Sequence, residues 1–599
     1  MPPRQVGWRL LSDQVVRPGR KSVEKISETI QGVLYLWQFR TPKHELAKEI
    51  QAVLALPPLV AFTLAVRQIT SLSQARDFLY PRLRNLPAPS PFPDLNEAVA
   101  RIVSALEQRE QIAVYGDYDV DGITAAALLV HFLAGLGGKV CWHIPHRIKE
   151  GYGLNTAAIN HLHGQGVTLV ITVDCGSSDH EAVQSARDLG VDVIVTDHHQ
   201  PPVSLPKANA LVNPKLMADK EGLRDLAGVG VAFYLAIAIR THYRLSGRWA
   251  NSAQPNLKEY LDLVALGTLA DMVPLTAANR ILAGVGLGEL SRTPRYGLQA
   301  LIEICGLEKK PVSDWDVLFR LGPRINAPGR LQHGELAMRL LLSTDLAEAR
   351  SLAHELDELN RQRQSVEGQL LTEAAALIEA DKSLQQSRSM VLASSRWHKG
   401  LLGLVASRLV ERFNKPVILL TQVGPVWEGS ARSASTLDLY RALECCRDHL
   451  IRFGGHRLAA GLALKQQQIP GFRDAFEKVV RDELPQTPVQ RTLKVDGVAR
   501  LEEITPELMA YIGRMQPFGP DNPEPIFYCE DFHVENLRAL KGCHLQLRLR
   551  QGNARVTAIG FNLLKSSQIP LPPEKLLFSP RWNHWQGEHR IQLHIIDYC

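Results

Sequence analysis

Cysteine is scarce and unpatterned: the eight in 599 residues include no Cys-x-x-Cys pair, and the adjacent Cys445 and Cys446 cannot staple separate elements together. A zinc ribbon and a disulfide framework are therefore excluded as organising principles, and a reducing cytoplasm is the expected setting. Long apolar runs are missing as well. The best, Leu54–Val66, carries Pro57 and Pro58 and falls short of the ~20 residues that a spanning helix needs, so no membrane segment is expected. The basic start, with Arg4, Arg9, Arg17, Arg20 and Lys21, is followed by no apolar stretch ending in a small-residue cleavage site, and reads as a mobile arm over residues 1–50. There is no internal repeat and no low-complexity tract. Neither sign of charge is in large excess: a net charge of +6 permits an anionic partner without requiring one. What is present is ordinary for soluble globular domains, 45% hydrophobic and 22% charged residues, in a chain too long for one core.

The pattern along the chain is α/β. Short helices with turn chemistry fill 69–93, and 96–107 is an amphipathic helix. Apolar, β-branched runs at 112–115, 140–144, 169–173 and 191–196 alternate with helical stretches that include 156–163 and 180–189, which predicts a parallel sheet covered on both faces. Helices dominate from about 230 to 342. Leu352, Leu356, Leu359, Val366, Leu370 and Leu371, spaced among many charges, predict one long connecting helix over 346–382. A second α/β unit follows, with strands at 390–393 and 416–420 around a helix at 401–413. Period-two alternation in 544–550 and 590–595 predicts half-buried antiparallel strands of a small β-barrel.

Acidic and imidazole clusters sit largely where the strands of the first sheet end, and open α/β sheets bind ligands there. In Asp117-Tyr118-Asp119-Val120-Asp121-Gly122 the alternation lets carboxylates converge, and Gly122 allows a tight entry into the helix that follows. A calcium loop would need Glu at its twelfth position, where Leu128 stands. Asp174 follows Ile-Thr-Val, Asp197-His198-His199 follows Val-Ile-Val-Thr, and Asp271 lies in Leu-Ala-Asp-Met-Val-Pro; each of the lone aspartates alone would pass as a helix cap. Gathered carboxylates repel one another and lose water, a cost that divalent cations offset. An oxygen-rich set with one or two imidazoles suits manganese or magnesium rather than a thiolate-seeking metal.

The order of these motifs resembles the DHH phosphoesterase superfamily, and within it the bacterial single-strand exonucleases. The resemblance rests on Tyr115-Gly116-Asp117-Tyr118-Asp119-Val120-Asp121-Gly122, on Pro145-His146-Arg147 with Glu150-Gly151-Tyr152, and on Gly322-Pro323-Arg324-Ile325-Asn326-Ala327. Further on it rests on Trp397-His398-Lys399-Gly400, Arg432-Ser433, Gly454-Gly455-His456 and Pro517-Phe518-Gly519-Pro520-Asp521-Asn522-Pro523. It runs from about Leu56 to the end. Pro328, Ala431 and Lys399 depart from the family pattern, which has Ala, Gly and Glu there.

The resemblance implies a 5′-to-3′ exonuclease acting on single-stranded DNA in repair and recombination. It implies a DHH phosphoesterase domain over 51–342, a connecting helix over 343–384, a smaller α/β DHHA1 domain over 385–480 and an OB-like nucleic-acid-binding domain over 481–599. Two Mn2+ or Mg2+ ions are implied, with Asp119, Asp121, Asp174, His198 and Asp271 as ligands and Asp121 and Asp174 shared or lying between the ions. His199 would lie close to the metals or the scissile phosphate, and Asp117 would ligate or orient a ligand. His456 would stabilise phosphate charge from the opposite lobe. Arg147, Arg324 with Asn326, and Arg432 beside Ser430 would hold a terminal 5′ phosphate, since guanidinium forks match phosphate oxygens. Single-stranded DNA is the implied partner of a cytoplasmic monomer, with a helicase and a single-strand-binding protein left open. Two other readings stay in view: a DHH phosphodiesterase of cyclic dinucleotides or short oligonucleotides, and a catalytically inactive nucleic-acid-binding scaffold.

Overall fold

In the computed structural model of the protein, which describes residues 29–599 except 42, 68, 91, 148, 219–221, 250–252, 332–333, 435–436, 485–490, 566–571 and 586–587, the chain forms two compact units. Of the described residues, one unit comprises those within 80–489 and 515–523; the other comprises those within 29–79, 490–514 and 524–599.

The larger unit begins on five parallel strands: β1 Gln111–Gly116, β2 Lys139–His143, β3 Val167–Val173, β4 Asp192–Thr196 and β5 Ala210–Val212, in the order β2-β1-β3-β4-β5. Alternate residues feed different cores. Ile112, Val114, Leu169, Ile171 and Val173 pack with the helices Leu95–Glu107, α1 (Val120–Gly135), α2 (Gly228–Leu245) and α3 (Leu261–Ala270). Ala113, Tyr115, Val167, Val170, Val193 and Val195 pack with Thr156–Gly164 and His180–Asp188 on the other face. Strands buried on both sides read as continuous apolar runs, which is why β1, β3 and β4 are visible in sequence, whereas the edge strand β2 is only half-buried. The three-residue β5 is too short to show a period. The strand order reverses between β1 and β3, and ligands of open parallel sheets bind outside the carboxyl ends of the strands at such a point.

The helix predicted over 346–382 is a single one, Leu346–Ala380 (α5), after the helix α4 (Gly322–Leu331). Its N-cap Asp345 accepts from Glu348 N–H, its early Leu352 and Leu356 join the first core, and Leu370, Ala374 and Ile378 join another. At 1.5 Å per residue it spans about 50 Å. The lobe it leads to is a five-stranded sheet of β6 Met390–Ala393, β7 Val417–Val423, β8 Val426–Arg432, β9 Arg452–Gly455 and β10 Ala459–Leu464, in the order β9-β10-β8-β7-β6. Only β6 and β7 run parallel, around the helix Leu402–Phe413.

The smaller unit holds a seven-stranded sheet with an OB-like fold that includes His544–Gln551 and Glu588–Tyr598. Leu545, Leu547 and Leu549 are buried, as the alternation predicts. The expected mobile arm is corrected here. Residues 1–28, with Arg4, Arg9, Arg17, Arg20 and Lys21, lie outside the described residues, but Thr29–Gln31 and Leu36–Phe39 are strands, the second paired with Thr492–Val495. Trp37 is fully buried and its Nε1 donates to Asp597 Oδ2 at 2.7 Å. Arg67 binds the buried Asp496 at 2.6 Å, so residues 51–79 group with the carboxyl-terminal strands and the sheet-bearing unit starts near 80, not 51. Among the described residues no helix is long and apolar enough to cross a membrane.

Candidate metal centre

The loop after β1, the ends of β3 and β4, and the end of α3 supply the candidate ligands. Asp119 caps α1, with its Oδ1 accepting from Asp121 N–H (3.0 Å) and Gly122 N–H (3.1 Å). Asp121, in the first turn of α1, accepts from Gly228 N–H (2.5 Å) and Val229 N–H (2.8 Å) at the start of α2, where the helix dipole favours a carboxylate. Close approach demands glycine here. A Cβ on Gly228 would stand 2.7 Å from Asp174 Cβ, and one on Gly267 would stand 2.9 Å from Asp121 Oδ1. Asp174 leaves β3 with φ of 61°, a left-handed conformation that costs energy and aims its carboxyl into the crevice. Asp271 corrects the strand-tip expectation: it ends the helix α3.

These side chains meet. His198 Nε2 lies 3.0 Å from Asp174 Oδ1, 3.6 Å from Asp271 Oδ2 and 3.8 Å from Asp121 Oδ2. Ligand atoms of Asp121, His198 and Asp271 all fall within 4.8 Å of one another, as do those of Asp117, Asp119 and Asp174, and those of Asp174, His198 and His199. Asp117 Oδ1, Asp174 Oδ1, His198 Nε2 and Asp271 Oδ2 are buried without a hydrogen-bond partner. Each such orphan costs about 1–3 kcal/mol, so gathering them in one crevice is strongly unfavourable unless a cation binds there. The donor set, hard oxygens with one or two imidazoles, fits magnesium or manganese.

The electrostatics agree. Burial, then the charge of Asp119, pushes the Asp121 carboxyl up to about 7. Burial and the charges of Asp121, Asp119 and Asp117 push Asp271 up to about 9. Asp117 and Asp174 are also raised, by burial first and then by their acidic neighbours. Burial and the adjacent His199 hold His198 down at about 3, a neutral ring free to ligate.

Two residues stand out that the sequence reading left without a role. Although burial opposes it, the hydrogen bond and charge of His199 keep Asp197 below the usual carboxylate range. Its Oδ1 meets His199 Nδ1 at 2.9 Å while its Oδ2 accepts from Ser177 N–H at 3.0 Å. The Tyr152 hydroxyl lies 3.0 Å from the same His199 nitrogen and donates to the Asp174 carbonyl at 3.2 Å. Asp197 was legible as part of its motif; Tyr152 carried no signal beyond its place in Glu150-Gly151-Tyr152. Asp197→Asn is expected to lower kcat about 10- to 100-fold, the range for partners that orient a metal-site residue; kcat within twofold of the parent under saturating metal rejects an aligning role.

Beside the crevice lies a cavity of about 670 Å3, lined by Tyr118, Arg147 and Tyr152 from the first lobe and by Lys399, Glu428, Ser430, Arg432 and several glycines from the second. Arg432 donates to Ser430 Oγ at 3.0 Å, and Arg147 stacks over Tyr118 at 5.0 Å. Burial and the charge of Arg147 lower Arg432, a mutual repulsion that an anion relieves. Lys399, at a position that departs from the family pattern, pairs with Glu428 at 2.5 Å, and Glu428 also holds Arg452 at 2.8 Å.

Arg324 and Asn326 are not among the lining residues. The Arg324 fork is already filled by Asp357 of α5, at 2.9 Å from Nε and 2.7 Å from Nη2, and its Nη1 donates to the Arg320 carbonyl. Arg330, at the other end of α4 and likewise not among the lining residues, also feels Arg147: burial and then that charge push it down to about 10. His456 stands exposed on the turn after β9, its N–H donating to the Ala459 carbonyl at 2.8 Å, while Gly454, Gly455 and Ala459 line the cavity.

Acidic loops at the switch point of a parallel sheet, opposed by a glycine-lined second lobe, define a DHH-type phosphoesterase. Residues 111–268 match the DHH family, N-terminal domain; residues 387–482 match the DHHA1 domain; residues 495–597 match the RecJ OB domain. The chain is 36% identical over 567 residues to the single-stranded-DNA-specific exonuclease RecJ of Bacillus subtilis, covering 94% of this chain and 70% of that protein. It is 36% identical over 587 residues to the RecJ of Escherichia coli, covering 94% and 99%. Its structure resembles RecJ of Thermus thermophilus in complex with Mn2+, with a TM-score of 0.80 and 33% identity over 94% of this chain and 79% of that one. The chain belongs to the RecJ family.

Proposed function

We propose that this chain is a metal-dependent exonuclease that hydrolyses single-stranded DNA from the 5′ end, in repair and recombination. The observation that carries the reading is the convergence of Asp117, Asp174, His198 and Asp271 with orphaned ligand atoms beside an arginine-lined cavity. The RecJ relatives are named as single-stranded-DNA-specific exonucleases, and a structural neighbour was solved with Mn2+ and with Mg2+. When bound, such ions supply Lewis acidity at the scissile phosphate and lower the pKa of water.

The residues divide the remaining work. Asp119, Asp121, Asp174, His198 and Asp271, with Asp117 beside them, hold the ions. Asp197 and Tyr152 fix the His199 ring, whose raised basicity suits contact with phosphate. Arg147, Ser430 and Arg432, which line the cavity, hold the terminal phosphate, while the Arg324 fork is engaged by Asp357. His456 reaches the phosphate from the β9–β10 turn. The dinucleotide phosphodiesterase is disfavoured by the OB-like unit, which suits a longer strand, and the inactive scaffold by the intact ligand set. All eight cysteines are free, which supports a cytoplasmic location, and a helicase or a single-strand-binding protein would be an assisting partner.

Digestion of end-labelled strands tests the reading. Loss of the 5′ label first, dependent on Mn2+ or Mg2+ and stopped by chelator, is expected; dinucleotide preference, 3′-first loss or binding without cleavage overturns it. Arg432→Ala is expected to reduce the kcat/KM advantage of a 5′-phosphate over a 5′-hydroxyl end about 10- to 100-fold, the worth of a charged hydrogen bond. Equal losses on both ends argue against a terminal-phosphate pocket.

A further inference from the structure

Two aromatic rings stand exposed on a segment that no role above absorbs. Trp315 is 47% and Phe319 is 60% accessible, with ring centroids 5.1 Å apart and planes tilted by 33°. The guanidinium of Arg320 lies 5.4 Å from the Trp315 ring centre. Residues four apart on a helix share a face, and here the run passes from the helical turn Asp314–Asp316 into a π-helix, Val317–Leu321, a rare geometry that is frequent at functional sites. Val317 and Leu321 are fully buried, so they fix the segment and leave the two rings with no anchoring duty.

The segment adjoins the metal crevice. It runs into Gly322, where a Cβ would stand 3.7 Å from Ala270 Cβ and 3.9 Å from Val120 Cγ2, the chain neighbours of Asp271 and of Asp119 and Asp121. The Pro517–Pro523 motif clasps the same region: the Phe518 N–H donates to the Asp314 carboxylate, and the Pro520 carbonyl accepts from Leu275 N–H at 2.9 Å. Met272, next to Asp271, is 52% accessible.

We propose that Trp315 and Phe319, backed by Arg320, form a stacking platform for bases of the single strand whose phosphates the crevice engages. This rests on the exonuclease reading. Exposed rings beside a cation suit nucleobases, because every base has a π-face and stacking is indifferent to sequence. Two rings are too small a patch for a stable protein partner, which needs roughly 1,000 Å2 of buried surface.

The test compares kcat/KM on a 5′-phosphorylated single strand with that on a strand of equal length whose nucleotides beyond the first are abasic. The parent protein is expected to favour the base-bearing strand about 5- to 150-fold, the spread for base–aromatic stacking. In Trp315→Ala/Phe319→Ala the ratio falls toward one, and in Trp315→Phe, which keeps a ring, most of it is retained. A double variant that keeps the parent ratio overturns the platform. So does one that loses both substrates equally, or a parent that dimerises through this patch in sedimentation. A parent that cleaves neither strand overturns the exonuclease reading itself, and the two failures are told apart.

Discussion

Asp174→Asn is expected to lower turnover on a 5′-phosphorylated single strand by more than about 100-fold, beyond the range for residues that only orient a ligand. The substitution isolates charge from shape. Asp174 adopts φ of 61°, a region that asparagine tolerates better than most residues, so the backbone leaving β3 keeps its path. Its carboxyl is buried, its Oδ1 has no hydrogen-bond partner, and it is pushed well above its ordinary range, first by burial and then by Asp121, Asp119 and Asp271. A neutral amide of the same outline therefore removes repulsion, and thermal stability without metal is expected to hold or rise at pH 8. Retained stability with lost turnover locates the effect in chemistry; turnover within tenfold of the parent sinks the ligand assignment.

Adding Mn2+ or Mg2+ is expected to raise the midpoint of thermal unfolding, and to raise it more at pH 9 than at pH 6. Carboxyls whose folded pKa is raised bind more protons folded than unfolded. Their contribution to stability is greatest below the ordinary carboxylate range and is lost as pH climbs through about 7 for Asp121 and about 9 for Asp271. The metal-free protein should thus weaken across that window. Cations displace those protons, so their apparent affinity grows over the same interval. At about 100 times Kd, ligand binding stabilises by ~2.7 kcal/mol, a shift of several degrees. Scanning calorimetry at three pH values with metal or chelator measures it, and a midpoint indifferent to both pH and metal contradicts the site.

Much of this centre is legible in the chain because each strand is a short apolar run that ends abruptly in Asp or His. Burial on both faces writes β1, β3 and β4 in unbroken hydrophobic letters, and the ligands follow directly. Other features have no local signature. Asp271 reads as another strand tip, yet the apolar stretch before it is a helix buried all round, which periodicity cannot distinguish from a buried strand. Arg324 and Arg330 are equally good phosphate binders as letters; only the packing of α4 on α5, through Asp357, decides which guanidinium is already occupied. Trp37 is held by Asp597, a partner 560 residues away, so the fold of the chain start is invisible to any reading of neighbours.

Asp119 and Asp121 are both pinned by main-chain amides, of Asp121, Gly122, Gly228 and Val229. Such carboxylates cannot swing away when an ion leaves. Loading is then a matter of filling a rigid cup rather than building one, and exchange of one divalent ion for another should proceed at the pace at which the ion sheds its hydration water, without a protein rearrangement setting the clock.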